Sequence, residues 1–234
     1  MLTAREVTVT FGGVKPLDRV SFELPAGVCG LVGPNGAGKT TFFNVLSGFV
    51  RPSGGTVEVD GTRLLAMAPH RRARWGLRRT FQQEQVVHAL SAYDNVRVTA
   101  DEVGADGDEV REALAYVGLE NVHRRGAELA MLERRLVELA KSVVGRPRMV
   151  LLDEPGAGLA EDETARLAQL IRQIPERFDA QVVLVDHDME LVSAVCSTMA
   201  VLDFGRVIAL GATTEVLADE HVKRAYLGTE EVFA

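Results

Sequence analysis

The chain has 234 residues with 47% hydrophobic content, enough to bury a full core and form one subdivided domain. Its formal net charge of −7 argues against a general nucleic-acid binder, because phosphate backbones favour basic surfaces. No stretch approaches about 18 uninterrupted apolar residues, the amino terminus does not resemble a signal peptide, and Cys29 and Cys196 form neither a metal cluster nor a disulfide framework, so a soluble protein in a reduced setting is expected.

In chain order, Leu2 to Val32 reads as alternating strands, the last being the buried run Val28-Cys29-Gly30-Leu31-Val32. Gly33-Pro34-Asn35-Gly36-Ala37-Gly38-Lys39-Thr40 follows, a full match to the phosphate-loop pattern G-x-x-x-x-G-K-[ST]. Thr40 to Leu46 then has helical character until Ser47-Gly48, so the strand–loop–helix context that the motif requires is present. Glycines let successive backbone N–H groups and the helix N-terminus approach an anion. The pattern predicts a nucleoside triphosphate site in which Lys39 reaches the β- and γ-phosphates, the Thr40 hydroxyl ligates Mg²⁺ and Thr41 adds a phosphate contact.

Thr56 to Val59 is a strand entering a turn at Asp60-Gly61. The basic run Arg71 to Arg79, which holds the only tryptophan, reads either as a solvated helical face or as a surface for anionic lipid or a membrane subunit. Gln82 carries an amide able to ligate Mg²⁺ or hold a water, and residues from about 83 to 144 are mostly helical, with Asp101 to Glu109 as an exposed loop leading into a helix. Arg148 to Leu152 is a buried strand ending in Asp153-Glu154-Pro155. It places Asp153 at a sheet edge to hold Mg²⁺ and Glu154 one step nearer the γ-phosphate, to orient or deprotonate water. His187 follows the run Val182 to Val185 and suits a γ-phosphate sensor. Val201 to Ile208 reads as a hairpin turning at Asp203 to Gly205, with a helical tail over about 212–234.

Taken together these segments resemble the ATP-binding subunits of ABC transporters over nearly the whole chain. The resemblance implies an α/β fold, a P-loop NTPase core of ABC type with an antiparallel β subdomain and a helical subdomain. It implies that Phe11 stacks on adenine, that Gly33, Asn35, Gly36 and Gly38 belong to the ATP cradle, and that Gln82, Glu154 and His187 are the Q-loop glutamine, catalytic glutamate and switch histidine. Its cofactors are ATP and Mg²⁺, held by Thr40, Gln82 and Asp153. Arg79-Thr80-Phe81-Gln82, Tyr93-Asp94-Asn95-Val96, Gly156-Ala157-Gly158-Leu159, His187-Asp188-Met189-Glu190 and Ala225-Tyr226-Leu227-Gly228 look like the branched-chain amino acid importer subfamily, with urea and amide importers as relatives.

The signature segment departs from its usual Leu-Ser-Gly-Gly-Gln and reads Leu129-Ala130-Met131-Leu132-Glu133. Ala130 has no hydroxyl for the γ-phosphate on an opposing subunit, and Leu132 adds a side chain where the backbone must approach closely. Ala160 stands where the family has a polar residue in the loop that crosses the dimer interface. The resemblance therefore implies an ATPase subunit at the cytoplasmic face of the membrane, partnered by permease subunits, indirectly by a solute-binding protein, and by a second ATP-binding subunit. A heterodimer is favoured over a homodimer. The alternatives are a regulatory nucleotide-binding subunit and a soluble ABC ATPase unconnected with transport.

Overall fold

The protein is described here by a computed structural model covering residues 1–227. Its elements run β1 (Leu2–Phe11), β2 (Val14–Leu24), β3 (Val28–Val32), α1 (Lys39–Ser47), β4 (Gly54–Val59), β5 (Thr62–Arg63), α2 (Pro69–Trp75), β6 (Leu77–Arg79), α3 (Ala92–Val103), α4 (Gly107–Val117), α5 (Met131–Val143), β7 (Met149–Asp153), α6 (Glu161–Phe178), β8 (Gln181–Val185), α7 (Met189–Val195), β9 (Thr198–Asp203), β10 (Arg206–Ala212), α8 (Thr213–Ala218) and α9 (Glu220–Leu227). Gly228 and the rest of the expected tail lie outside the described residues.

Two sheets form the frame. An antiparallel sheet has the order β2-β1-β4-β5, and a six-stranded sheet has the order β10-β9-β3-β8-β7-β6. In the second, only the β9–β10 pair is antiparallel. The parallel strands are buried on both faces, which is why β3, β7 and β8 read as continuous apolar runs rather than alternating ones. Their side chains still alternate. Met149, Leu151, Val183 and Val185 pack with Phe42 and Phe43 of α1 and with the antiparallel sheet. Val150, Leu152, Val182 and Leu184 pack on the other face with α3 to α7. The carboxyl ends of β3, β8 and β7 thus lie side by side, each followed by one of the motif segments.

Local chemistry fixes the helix ends. Ser91 caps α3 by accepting from the Asp94 N–H, and Asp106 caps α4 by accepting from Asp108 and Glu109, whose carboxylate accepts in return from the Asp106 N–H. This corrects the expectation for Asp101 to Glu109: Asp101 to Val103 close α3, and the loop shrinks to the turn at Gly104 to Asp106. Gly104 in the left-handed region ends one helix and Asp106 starts the next.

The basic run divides: part of it is the exposed helical face expected, and part turns inward. Arg71 and Arg74 are exposed, but Arg72 and Arg78 are buried. Arg72 donates to the carbonyls of Val45 and Leu46 at 2.6 and 2.7 Å, and Arg78 donates to those of Val144 and Gly145, both at 3.3 Å. Both side chains therefore sit at the carboxyl ends of helices, where orphan carbonyls and the helix dipole favour a cation. Burial pushes both guanidinium groups below their ordinary range, Arg78 to about 10.

Candidate nucleotide site

Asn35, Gly36, Gly38, Lys39, Thr40, Thr41, Gln82, Glu154 and His187 converge on one cavity of about 370 Å³, joined by Pro16 and Ala37. Three expected members stand apart from that lining. Phe11 is 55% exposed at the tip of the β1–β2 hairpin, so it is not a core aromatic, and no contact ties it to the cavity. Gly33 faces β9: a Cβ there would lie 2.0 Å from the Leu202 carbonyl oxygen, with φ at +148°. Asp153 is buried behind the cavity, paired with Arg79.

The loop's shape follows from such close approaches. A Cβ on Gly38 would fall 2.4 Å from the Pro16 carbonyl oxygen at φ +110°, so only glycine lets the loop pass under β2 into α1. Gly38 is also the N-cap of α1 and brings no side chain to it, leaving the helix's N-terminal dipole facing the cavity. Lys39 is 6% exposed, and its Nζ donates to the carbonyls of Gly33 and Pro34 at 2.5 and 3.0 Å. Burial lowers its pKa, an effect opposed by Glu154 and Asp153. An anionic phosphate in the cavity offers this cation a stronger partner than neutral carbonyls.

Glu154 is the centre of the polar side. Its φ of 51° lies in the left-handed region, and its N–H donates to the Val185 carbonyl at 2.7 Å, so the chain turns sharply as β7 ends. Such a conformation costs a non-glycine residue about 1 kcal/mol or more and survives only where its surroundings hold it. The carboxylate accepts from Gln82 Nε2 at 3.0 Å and lies 3.2 Å from His187 Nε2. With its amide nitrogen on Glu154, Gln82 has its amide oxygen left for a cation or a water. The Thr40 hydroxyl lines the same cavity and the Asp153 carboxylate lies behind it, all hard oxygen donors of the chemistry that Mg²⁺ takes beside phosphate.

Sequence reasoning missed two supporting residues. Asp186, 4% exposed, accepts from the N–H groups of Gly156 and Asp188 at 3.1 and 3.0 Å, and so fixes the loops carrying Glu154 and His187 to each other. Burial raises its pKa, opposed by those backbone N–H groups. Its spacing to Asp188 was a local clue, since a carboxylate bonded two residues on is an Asx turn. The other is Arg79, whose Nη2 lies 2.9 Å from Asp153 Oδ2. Burial raises the Asp153 pKa, and Arg79 pulls it back.

The altered signature sits at the start of α5. Ala130 is the N-cap with no side-chain bond to give, and its own N–H donates to Glu133 Oε2 at 2.7 Å. Glu133 is bridged at 2.5 Å by Arg124. The helix N-terminus therefore carries a carboxylate and no hydroxyl. Met131 is 45% exposed and lies against Gly158, where a Cβ would meet its sulfur at 3.1 Å.

The family profile described as ABC transporter matches residues 17–157, which include the phosphate loop, Gln82, the signature segment and Glu154. This chain belongs to the ABC transporter ATP-binding family. A second profile, branched-chain amino acid ATP-binding cassette transporter, matches residues 206–232. The high-affinity branched-chain amino acid transport ATP-binding protein LivG of Escherichia coli (strain K12) is 32% identical, covering 97% of this chain and 98% of that one. BraF of Pseudomonas aeruginosa, of the same description, is 33% identical with the same coverage. The lipopolysaccharide export system ATP-binding protein LptB of Escherichia coli (strain K12) is also 33% identical, over 98% of both chains. Among solved structures, an ATP-binding cassette of an ABC transporter in its ADP conformation superposes with TM-score 0.87 at 24% identity, covering 97% of this chain and 98% of the other. The cassette is thus an ATP-binding, ATP-hydrolysing subunit of a transporter. Among the described residues no helix is long and apolar enough to cross a membrane.

Proposed function

We propose that this cassette hydrolyses Mg-ATP to power import of branched-chain amino acids or related small polar solutes, as the unequal member of a heterodimer at the cytoplasmic face of the membrane. The observation that carries the catalytic half is the Glu154 carboxylate held between Gln82 and His187 over the phosphate loop. In this reading Lys39 and the N-terminus of α1 hold the β- and γ-phosphates, and Glu154 orients and deprotonates the attacking water. His187 contacts the γ-phosphate, and Phe11 stacks on adenine. Mg²⁺, when bound by Thr40, Gln82 and Asp153, supplies neutralising charge for the phosphate oxygens.

Import of amino acids rather than export is supported by the second profile at residues 206–232, since overall identity to LivG and to LptB is nearly equal. Docking on a permease is supported by an apolar groove of about 420 Å³ in which Phe49 and Val98 are 61% and 54% exposed beside Phe81. The unequal dimer is supported by the start of α5, where Ala130 offers no hydroxyl and its N–H is already taken up by Glu133.

Glu154→Gln tests the catalytic half. The near-isostere keeps the shape and one oxygen to accept from Gln82 but loses the base, so single-turnover hydrolysis should fall by about 10²- to 10⁴-fold with ATP affinity nearly unchanged. Hydrolysis at the unaltered rate would refute the assignment.

A further inference from the structure

Arg79 ends β6, three residues before Gln82. Its side chain is 5% exposed and that of Asp153 is 4% exposed, so the two charges are shielded from water together. Nη2 donates to Asp153 Oδ2 at 2.9 Å, while Nη1 donates to Asn44 Oδ1 at 2.7 Å and to Ser47 Oγ at 3.3 Å, both on α1. The guanidinium carbon stands 4.9 Å from the centroid of Phe81 and 5.5 Å from that of Phe43. Phe81 in turn faces Phe49 at 6.1 Å, and both rings line the apolar groove. One planar, permanently charged group thus touches the Asp153 carboxylate, the helix that follows the phosphate loop, and the aromatic floor of the groove.

We propose that Arg79 is a positioning residue that orients Asp153 for the magnesium ion and makes that orientation respond to what fills the groove. The inference rests on the readings of Asp153 as a Mg²⁺ ligand and of the groove as the permease dock. The fork engages one carboxylate oxygen and α1 at once, so Asp153 cannot turn without breaking its bond to Arg79. The same group stands over the Phe81 ring, so a partner segment that moves this ring moves the group holding Asp153. A lysine supplies the charge without the fork or the plane and performs neither task.

The test is a Mg²⁺ titration of the purified full chain with a fluorescent ADP analogue, repeated in chelator without metal. Asp153→Asn should raise the Mg²⁺ midpoint; an unchanged midpoint in this variant overturns the reading of Asp153 itself. Given that shift, Arg79→Lys should raise the midpoint about 10- to 100-fold, the loss typical of an outer-shell partner, with metal-free affinity within about 2-fold. An Arg79→Lys midpoint equal to that of the unaltered chain overturns the positioning role. Phe81→Leu keeps the ion pair and an apolar groove but removes the ring that faces the guanidinium, so the midpoint should rise about 2- to 5-fold, as expected for loss of a cation–π contact. No shift in Phe81→Leu overturns the link to the groove, and this variant still answers if Arg79→Lys does not fold.

Discussion

Restoring one oxygen at the signature separates its two tasks. Ala130 occupies an N-cap with φ −67° and ψ 167°, the extended geometry in which serine caps well, and Glu133 already accepts from its N–H. Ala130→Ser completes that reciprocal pair, a gain of about 1 kcal/mol. For a chain of this length that corresponds to a rise in Tm of roughly 2–4 °C, measured by calorimetry on the isolated protein. Across a closed dimer the same hydroxyl faces a charged phosphate, where a hydrogen bond is worth roughly 1.5–3 kcal/mol. ATP-dependent pairing should therefore tighten by roughly 10- to 150-fold for each of the two contacts in a symmetric pair, read by sedimentation in the Glu154→Gln background. A variant that gains the thermal shift but no pairing affinity would show that the missing hydroxyl is not what limits this signature.

Asp186→Asn turns an NH₂ group towards one of two backbone N–H donors, which should cost about 1–3 kcal/mol in a melt and lower hydrolysis more than ATP affinity; unchanged melting and turnover would contradict its role in fixing the loops. Gly33→Ala forces a Cβ to within 2.0 Å of the Leu202 carbonyl, a backbone atom that cannot swing aside, so stability should fall by about 3 kcal/mol. A normal melting curve would mean that β3 and β9 can part at no cost. Burial pushes the Cys29 thiol up to about 11 and that of Cys196 further still. Because both folded values lie above the unfolded one near 9, this contribution is complete below pH 9 and is lost as pH rises towards 11. The urea midpoint should drop over that range, and a thiol reagent at pH 8 should label only unfolded protein; rapid labelling of the native chain would refute the burial.

What the sequence discloses here is what is local. The phosphate loop is legible because its glycines, Lys39 and Thr40 act within eight residues, and β7 and β8 are legible because strands buried on both faces are apolar along their middles, with polar groups only at their ends. The change at Ala130 is visible for the same reason. Arg79 is the opposite case. Its partner Asp153 lies 74 residues away, and nothing in Arg71 to Arg79 distinguishes the arginines that face water from those that meet helix-end carbonyls or a carboxylate. Local charge density therefore suggests a surface throughout, where the fold exposes Arg71 and Arg74 and turns Arg72, Arg78 and Arg79 inward. Asp101 to Glu109 misled in a related way: acidic residues read as solvated loop, yet they also suit the last turn of α3 and the capped first turn of α4.

The central claim is that this cassette has a complete nucleotide side and an incomplete signature side, so that its closed pair needs a different chain. The most direct measurement is the solution mass of the Glu154→Gln protein with and without Mg-ATP and with no other subunit present. The account predicts that the protein binds ATP and stays monomeric. A stable homodimer driven by ATP would contradict it, and the two sites would then be identical and atypical.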